Sequence, residues 1–218
     1  MMLTRLDPVV PLAPGRPQAG GQHHPMRIVT RETATNPSSW TPTRAREVAT
    51  FFDGLAAGWS ARYTDDEARG PLRDALARGD VPAGTCLEIG AGTGIATTLL
   101  ADHCRSVIAL DVSPEMLARF CEPRAMRLLG DGASLPVATG SINAVVLINA
   151  FLFPQEIDRV LAADGAVVWI SSLGPDTPIY LSAVDVYECL PGAWSGVESE
   201  SGWSTWSIFR RADQANAR

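Results

Sequence analysis

The sequence predicts an α/β fold: a mostly parallel sheet with helices on both faces, closed by a terminal antiparallel hairpin. Three observations carry this. Five short apolar runs, at 85–89, 106–110, 125–129, 144–148 and 166–170, alternate with stretches of helical character. Repeats of strand, crossover and strand return the chain to a parallel neighbour. The first run passes directly into alternating glycines and then into a helical stretch, and the tail holds two further strand-like runs, 194–197 and 203–210, joined through Glu198-Ser199-Glu200-Ser201-Gly202.

The bulk properties bound what such a fold can do. A chain of 218 residues suits one α/β domain with one site, and 46% hydrophobic with 19% charged residues argues against a disordered or fibrous protein. The net charge of -6, without a Lys/Arg stripe, speaks against a nucleic-acid partner. Cys86, Cys104, Cys121 and Cys189 lie far apart with no paired metal-site spacing, so they read as reduced, mostly buried thiols and no metal is expected. No apolar run approaches the ~20 residues of a bilayer span. The N-terminus also lacks the compact apolar stretch of a secretory signal, so the expectation is a cytoplasmic monomer or homodimer.

The elements follow in order. Residues 1–42 collect Pro8, Pro11, Pro14, Pro17, Pro25, Pro37 and Pro42 with Gly15, Gly20 and Gly21 and show no sustained period. Such a segment is expected to bury too little surface to offset its ordering entropy, so it reads as a disordered leader, and Met26 would serve equally well as a start. From Thr43, Val48, Phe51, Phe52 and Leu55 form one apolar helical face. A second helical stretch, 66–78, carries Leu72, Ala75 and Leu76 and stops at Gly79, where a C-terminal cap is expected. Residues 43–80 therefore read as a helical lid on a core spanning 81–211, with 212–218 a flexible tail. Helices are expected at 95–104, 114–120, 154–161 and 181–190, and weaker helical character after Asp131.

Chemistry concentrates at three strand ends. Glu88-Ile89-Gly90-Ala91-Gly92-Thr93-Gly94 follows the first strand, and its glycines let a ligand approach backbone that no Cβ shields. A dinucleotide loop would place Gly or Ala where this chain has Ile95, and Glu88 would repel a pyrophosphate. A cationic amino-acid ligand without phosphate, such as S-adenosylmethionine, fits both residues. The second strand delivers Asp111, with Val112 beside it, to the carboxyl edge of the sheet, where a carboxylate accepts from both ribose hydroxyls; Ser113 suits the cap of the helix that starts near Pro114. The third delivers Gly130-Asp131-Gly132-Ala133-Ser134-Leu135-Pro136, in which Asp131 would accept from an exocyclic amine while a following backbone N–H donates to a ring nitrogen, as adenine requires.

With these motifs in place the sequence resembles the class I S-adenosylmethionine-dependent methyltransferases, in the small-molecule branch similar to the ubiquinone and menaquinone biosynthesis enzymes. The resemblance runs from Phe51 to about Gly174 and includes Phe52-Asp53-Gly54-Leu55-Ala56-Ala57-Gly58-Trp59 and Met116-Leu117. It also takes in Ile157-Asp158-Arg159-Val160-Leu161, which leads through Asp164-Gly165-Ala166 into the fifth strand. It implies a Rossmann-like, seven-stranded sheet in the order 3-2-1-4-5-7-6 with the seventh strand antiparallel. It further implies a cofactor site of Glu88, Gly90, Ala91, Gly92, Thr93, Gly94, Asp111, Val112, Met116, Asp131, Gly132, Ala133 and Asn149. The chain departs from the family at Trp59, where a Tyr is frequent, and at Asn143, where an Asp is common.

The implied activity is methyl transfer to a small-molecule acceptor by in-line displacement, for which positioning and water exclusion supply much of the rate. No catalytic base is assigned: for Tyr63, Asn149, Asp176 and Tyr180 the plainer reading as loop or cap residues is favoured over that of proton acceptors or orienters. Trp59, Tyr63, Phe151, Phe153 and Tyr180 form the expected acceptor wall. The alternatives are a cofactor-binding protein of the same fold with a regulatory or other non-methylating role and, less favoured by Glu88 and Ile95, an NAD-dependent oxidoreductase.

Overall fold

The computed structural model describes residues 2–12, 21–62 and 65–212. Its strands are β1 (Met2–Arg5), β2 (Thr85–Ile89), β3 (Ser106–Asp111), β4 (Met126–Leu129), β5 (Ile142–Ile148), β6 (Leu161–Ser171), β7 (Trp194–Ser201) and β8 (Ser204–Arg211). The helices are α1 (Met26–Thr35), α2 (Pro42–Leu55), α3 (Asp65–Arg78), α4 (Thr97–His103), α5 (Pro114–Ala118), α6 (Pro154–Val160) and α7 (Ala183–Cys189). One sheet runs β1-β7-β8-β6-β5-β2-β3-β4, with β8 antiparallel to both its neighbours and every other pairing parallel. Leaving out β1, the order is the expected one.

Side-chain alternation explains why the sheet is covered on both faces. In β2, Leu87 and Ile89 join the apolar layer that includes Val145, Leu147, Val167, Trp169 and Phe209. Cys86, the residue before Leu87, joins the opposite layer with Ala144, Val146, Val168, Ile170 and Ile208. The period of two in strands buried on both sides sends successive residues to different cores. Chain order reverses between β2 and β5, so the crevice at their carboxyl ends is the place where an open α/β sheet binds its ligand.

Over 2–12 and 21–42 the structure overturns the expectation of a disordered leader, while residues 1 and 13–20 lie outside the described residues. Met2–Arg5 pairs in parallel with β7, adding an eighth strand to the sheet. The edge of β7 would otherwise present an unpaired row of backbone groups, and β1 satisfies it. Beyond the strand, Leu6 donates its backbone N–H to Glu198 O at 2.8 Å and Arg78 Nη1 donates to Asp7 O at 3.0 Å. Residues 26–35 form α1, whose inner face buries Thr30, Thr33 and Ala34. Thr30 Oγ1 donates to Met26 O at 2.7 Å and Thr33 Oγ1 to Val29 O at 2.8 Å, so the hydroxyls are satisfied within the helix. A buried face made of threonines is invisible to a hydrophobicity period.

The tail is also corrected in detail. The segment 198–201 continues β7, and the reversal is the two-residue turn Gly202-Trp203, since Ser201 pairs with Ser204. Gly202 takes φ of 59°, the positive value a tight hairpin turn requires at its first central position. After Asp131 no helix forms before β5. Ala212 is tied by its N–H to Ala193 O at 2.9 Å, and the remainder of the expected tail lies outside the described residues. Among the described residues no helix is long and apolar enough to cross a membrane.

One buried polar cluster locks α3 to β8. Asp74, 8% exposed, accepts from Trp206 Nε1 at 2.7 Å and from Arg78 Nε and Nη2, each at 2.7 Å. Replacing Asp74 by Ala leaves a buried indole N–H without an acceptor and takes from Arg78 its carboxylate partner, leaving it Asp7 O and Ser199 Oγ, so a loss of about 3 kcal/mol in unfolding free energy is expected in chemical denaturation. A loss below about 0.5 kcal/mol would show that the cluster contributes little.

Candidate functional site

The described residues enclose a cavity of about 1030 Å³, counting its mouth, at the carboxyl ends of β2, β3 and β5. Its walls come from the loop after β2 (Gly90, Ala91, Gly92, Thr93), the end of β3 and the residues after it (Asp111, Val112, Met116), and the turn after β4 (Gly130, Gly132). Asn149, Ala150, Phe151 and Phe153 follow β5, and Trp40, Val48, Phe52 and Trp59 come from the N-terminal helices.

Glu88 and Asp111 are the only charged side chains among these lining residues. Glu88 is 2% exposed and accepts a short hydrogen bond from Thr97 Oγ1. Burial pushes its carboxyl up to about 7, against the lowering effect of that hydrogen bond, and the nearby Asp111 raises it further. Asp111 is also shifted upward, first by burial, although the amides of Ser113 and Gly92 oppose the shift. Its Oδ2 accepts from Gly92 N at 2.7 Å and its Oδ1 from Ser113 N at 2.8 Å. A carboxylate has about four acceptor positions, so Asp111 keeps capacity for hydroxyl donors. Two acids and no base make a cavity suited to a cationic ligand.

The glycine loop works by shape more than by hydrogen-bond donors. Gly90 N and Ala91 N donate to Leu110 O at 2.8 and 3.0 Å, Gly92 N to Asp111, and Gly94 N to Ala91 O at 3.0 Å. These four amides are thus spent on holding the loop. Gly92, at φ of 57°, faces open space: a Cβ there would meet nothing nearer than Trp59 Nε1 at 3.5 Å. Gly94 does not line the cavity, and a Cβ on it would lie 2.7 Å from the Phe120 ring. Its glycine is required by packing.

The remaining expected site residues divide. Trp59, Phe151 and Phe153 line the cavity as expected of an acceptor wall. Asn149 lines it too, in a left-handed conformation with φ of 51°; its Nδ2 donates to Ser172 Oγ at 2.7 Å and its Oδ1 accepts from Ser172 N at 2.9 Å. The side chain therefore ties the end of β5 to that of β6. Asp131, Ala133 and Tyr180 are absent from the walls. Tyr180 instead lies under the Arg27 guanidinium, 4.7 Å from its ring centre. Asp176 accepts from Gln22 Nε2 at 2.9 Å, outside the cavity. Tyr63 lies outside the described residues. Asn143 accepts from Thr85 N at 2.8 Å through Oδ1 and so ties β5 to β2, a contact that an Asp would make equally; the structure does not explain the departure from Asp.

Sequence reasoning missed Trp40 as a wall residue. The one available signal was a Trp standing just before the Thr41-Pro42 helix start, inside an otherwise polar segment. It also missed how the segment 21–62 is fastened. Gln22 bonds Asp176 after β6, and Trp40 bonds Asp131 after β4. Asp53 accepts from Ser113 Oγ at 2.5 Å and Glu115 N at 3.1 Å after β3, and Ser60 Oγ lies 3.1 Å from Thr93 Oγ1 after β2. The segment is a strap crossing four strand-end loops.

Fold and cavity together define the architecture of a class I S-adenosylmethionine-dependent methyltransferase. Residues 87–169 match the methyltransferase domain family. A demethylmenaquinone methyltransferase of Mycolicibacterium gilvum is 30% identical over 168 residues, covering 70% of this chain and 73% of that protein. The chain belongs to this methyltransferase family. An uncharacterized methyltransferase of Mycobacterium tuberculosis is 36% identical over 93 residues, so the matched part of the chain spans only 38% of that relative's length. Among solved structures, the DhpI–SAH complex superposes with a TM-score of 0.63 over 78% of this chain and 98% of that one, at 18% identity, a likeness of fold.

Proposed function

We propose that the chain uses S-adenosylmethionine to methylate a small-molecule acceptor. The observation that carries this reading is the cavity itself, where the glycine loop, two carboxylates as the only charged side chains among the described lining residues, and an aromatic wall meet at the sheet's switch point. The cofactor supplies, when bound, a methyl carbon activated by the adjacent sulfonium. Glu88 holds the cationic amino-acid end, Gly90, Ala91, Gly92 and Thr93 shape the floor beneath it, and Asp111 accepts from the ribose. Val112, Met116 and Gly132 face the nucleobase, with Asp131 and Ala133 at its polar edge, while Asn149 sets the turn that carries the opposite wall. Gly94 supports the loop from behind.

Trp59, Phe151 and Phe153 exclude water from the acceptor side and orient an apolar acceptor toward the loop. The relatives named demethylmenaquinone methyltransferase, by that name, methylate a small molecule, which supports an acceptor of that size. A dinucleotide is disfavoured because both charged wall residues would repel its diphosphate.

Incubation of the purified chain with cofactor carrying a deuterated methyl group and a metabolite extract tests the reading. The expected result is one or a few small products bearing the label by mass spectrometry. Tight cofactor binding without any labelled product would leave a binding protein of the same fold.

A further inference from the structure

The polar groups assigned to the nucleobase are already bonded to each other and to the strap. Asp131 Oδ1 accepts from Ala133 N at 2.9 Å, which uses the backbone donor expected for a ring nitrogen. Trp40 Nε1 then spans the carboxylate, at 2.8 Å from Oδ1 and 3.0 Å from Oδ2. Trp40 lines the cavity whereas Asp131 does not, so the indole covers the carboxylate from the ligand's side. The ring stands edge-on to Phe153 at 5.0 Å between centres and tilted against Phe151 at 5.3 Å. An indole and an adenine are both planar fused bicycles with an N–H donor on the rim, so the two compete for one carboxylate between apolar walls.

We propose that Trp40 sets cofactor affinity as an internal stand-in for the nucleobase: its N–H holds Asp131 until the exocyclic amine of the cofactor takes its place. This rests on the cofactor reading above. The exchange would couple the two halves of the site, because Trp40 touches Phe151 and Phe153 of the acceptor wall and belongs to the strap. Cofactor entry frees the indole from Asp131, and its return helps release the spent nucleoside. The strap's other fastenings, at Asp176, Ser113 and Thr93, need not break for this exchange.

The test is titration calorimetry of the full chain with S-adenosylhomocysteine and with 5′-methylthioadenosine, which lacks the amino-acid end. Trp40→Phe keeps an aromatic ring against Phe151 and Phe153, though a smaller one, and removes the donor. Loss of one competing hydrogen bond to a carboxylate is expected to tighten both ligands by about tenfold and to a similar extent. Asp131→Asn in the same proteins should weaken both ligands and erase the gain from Trp40→Phe. Hydrogen exchange gives a second reading: in the unmodified chain, the amides around Trp40 should exchange faster once S-adenosylhomocysteine is bound.

Unchanged or weaker binding by Trp40→Phe, or protection of the strap by ligand, would overturn the exchange and make Trp40 a plain wall residue. Absence of S-adenosylhomocysteine binding in both the unmodified chain and the variant, each with an intact circular dichroism spectrum, would overturn the cofactor reading and the exchange together.

Discussion

Replacing Gly92 by Ala leaves the protein folded and removes cofactor binding. The added methyl meets no atom closer than Trp59 Nε1 at 3.5 Å, so the fold bears only the strain of a non-glycine residue at φ of 57°. That strain costs about 1–2 kcal/mol. The methyl projects into the cavity, where the cofactor's backbone approach would be closest, and a loss of affinity of about a hundredfold or more is expected. Gly94→Ala should invert the pattern: its methyl would press on the Phe120 ring at 2.7 Å, so thermal stability falls while the cavity wall is touched only indirectly. Thermal denaturation and S-adenosylhomocysteine titration of the two variants check this. Near-normal binding by Gly92→Ala would remove the loop from the ligand's path.

Replacing Glu88 by Gln should stabilise the protein at alkaline pH while weakening the cofactor. Burial raises this carboxyl from the ordinary 4.5 to about 7 in the fold. Between those values the unfolded chain has released the proton and the folded chain retains it, so stability falls as pH rises. The contribution is fully present below about 4.5 and gone above about 7. A shift of this size corresponds to about 3 kcal/mol. Denaturation from pH 4 to 8 should therefore show a slope in the unmodified chain that Glu88→Gln lacks, with the variant the more stable at pH 8.

The same carboxyl links binding to protons. A cation beside Glu88 favours its ionised form, so cofactor binding near pH 6.5 should release a proton and strengthen toward pH 8. Calorimetry in buffers of different ionisation enthalpy reads the release directly. Equal pH slopes in the two proteins, together with no proton release, would detach Glu88 from the cationic end of the ligand.

The parallel core was legible because its strands are buried on both faces. Runs such as Leu87-Glu88-Ile89 and Val145-Val146-Leu147 need no tertiary information to be read as strands, and alternating glycines after the first run mark the loop. Asp111 was legible for the same reason, since a carboxylate ending an apolar strand has few other uses. The N-terminal segment was illegible because its order comes from partners far away in sequence. Met2–Arg5 becomes a strand only beside β7, and α1 buries threonines whose hydroxyls are satisfied by its own carbonyls.

Trp40 lay in that unread segment, 91 residues from the Asp131 it bonds. The sequence by itself determined the alternation of strands and helices, the glycine loop and the two acids that set the cavity's charge, because these depend on periodicity and local turn chemistry, while the sheet order came from the family resemblance. Only the tertiary structure decided which polar groups are free to meet a ligand. The amides of Gly90, Ala91, Gly92 and Gly94, Asp131, Ala133 and Asn149 have partners inside the chain, and hydrogen-bond partners distant in sequence are fixed by packing, which no local pattern records.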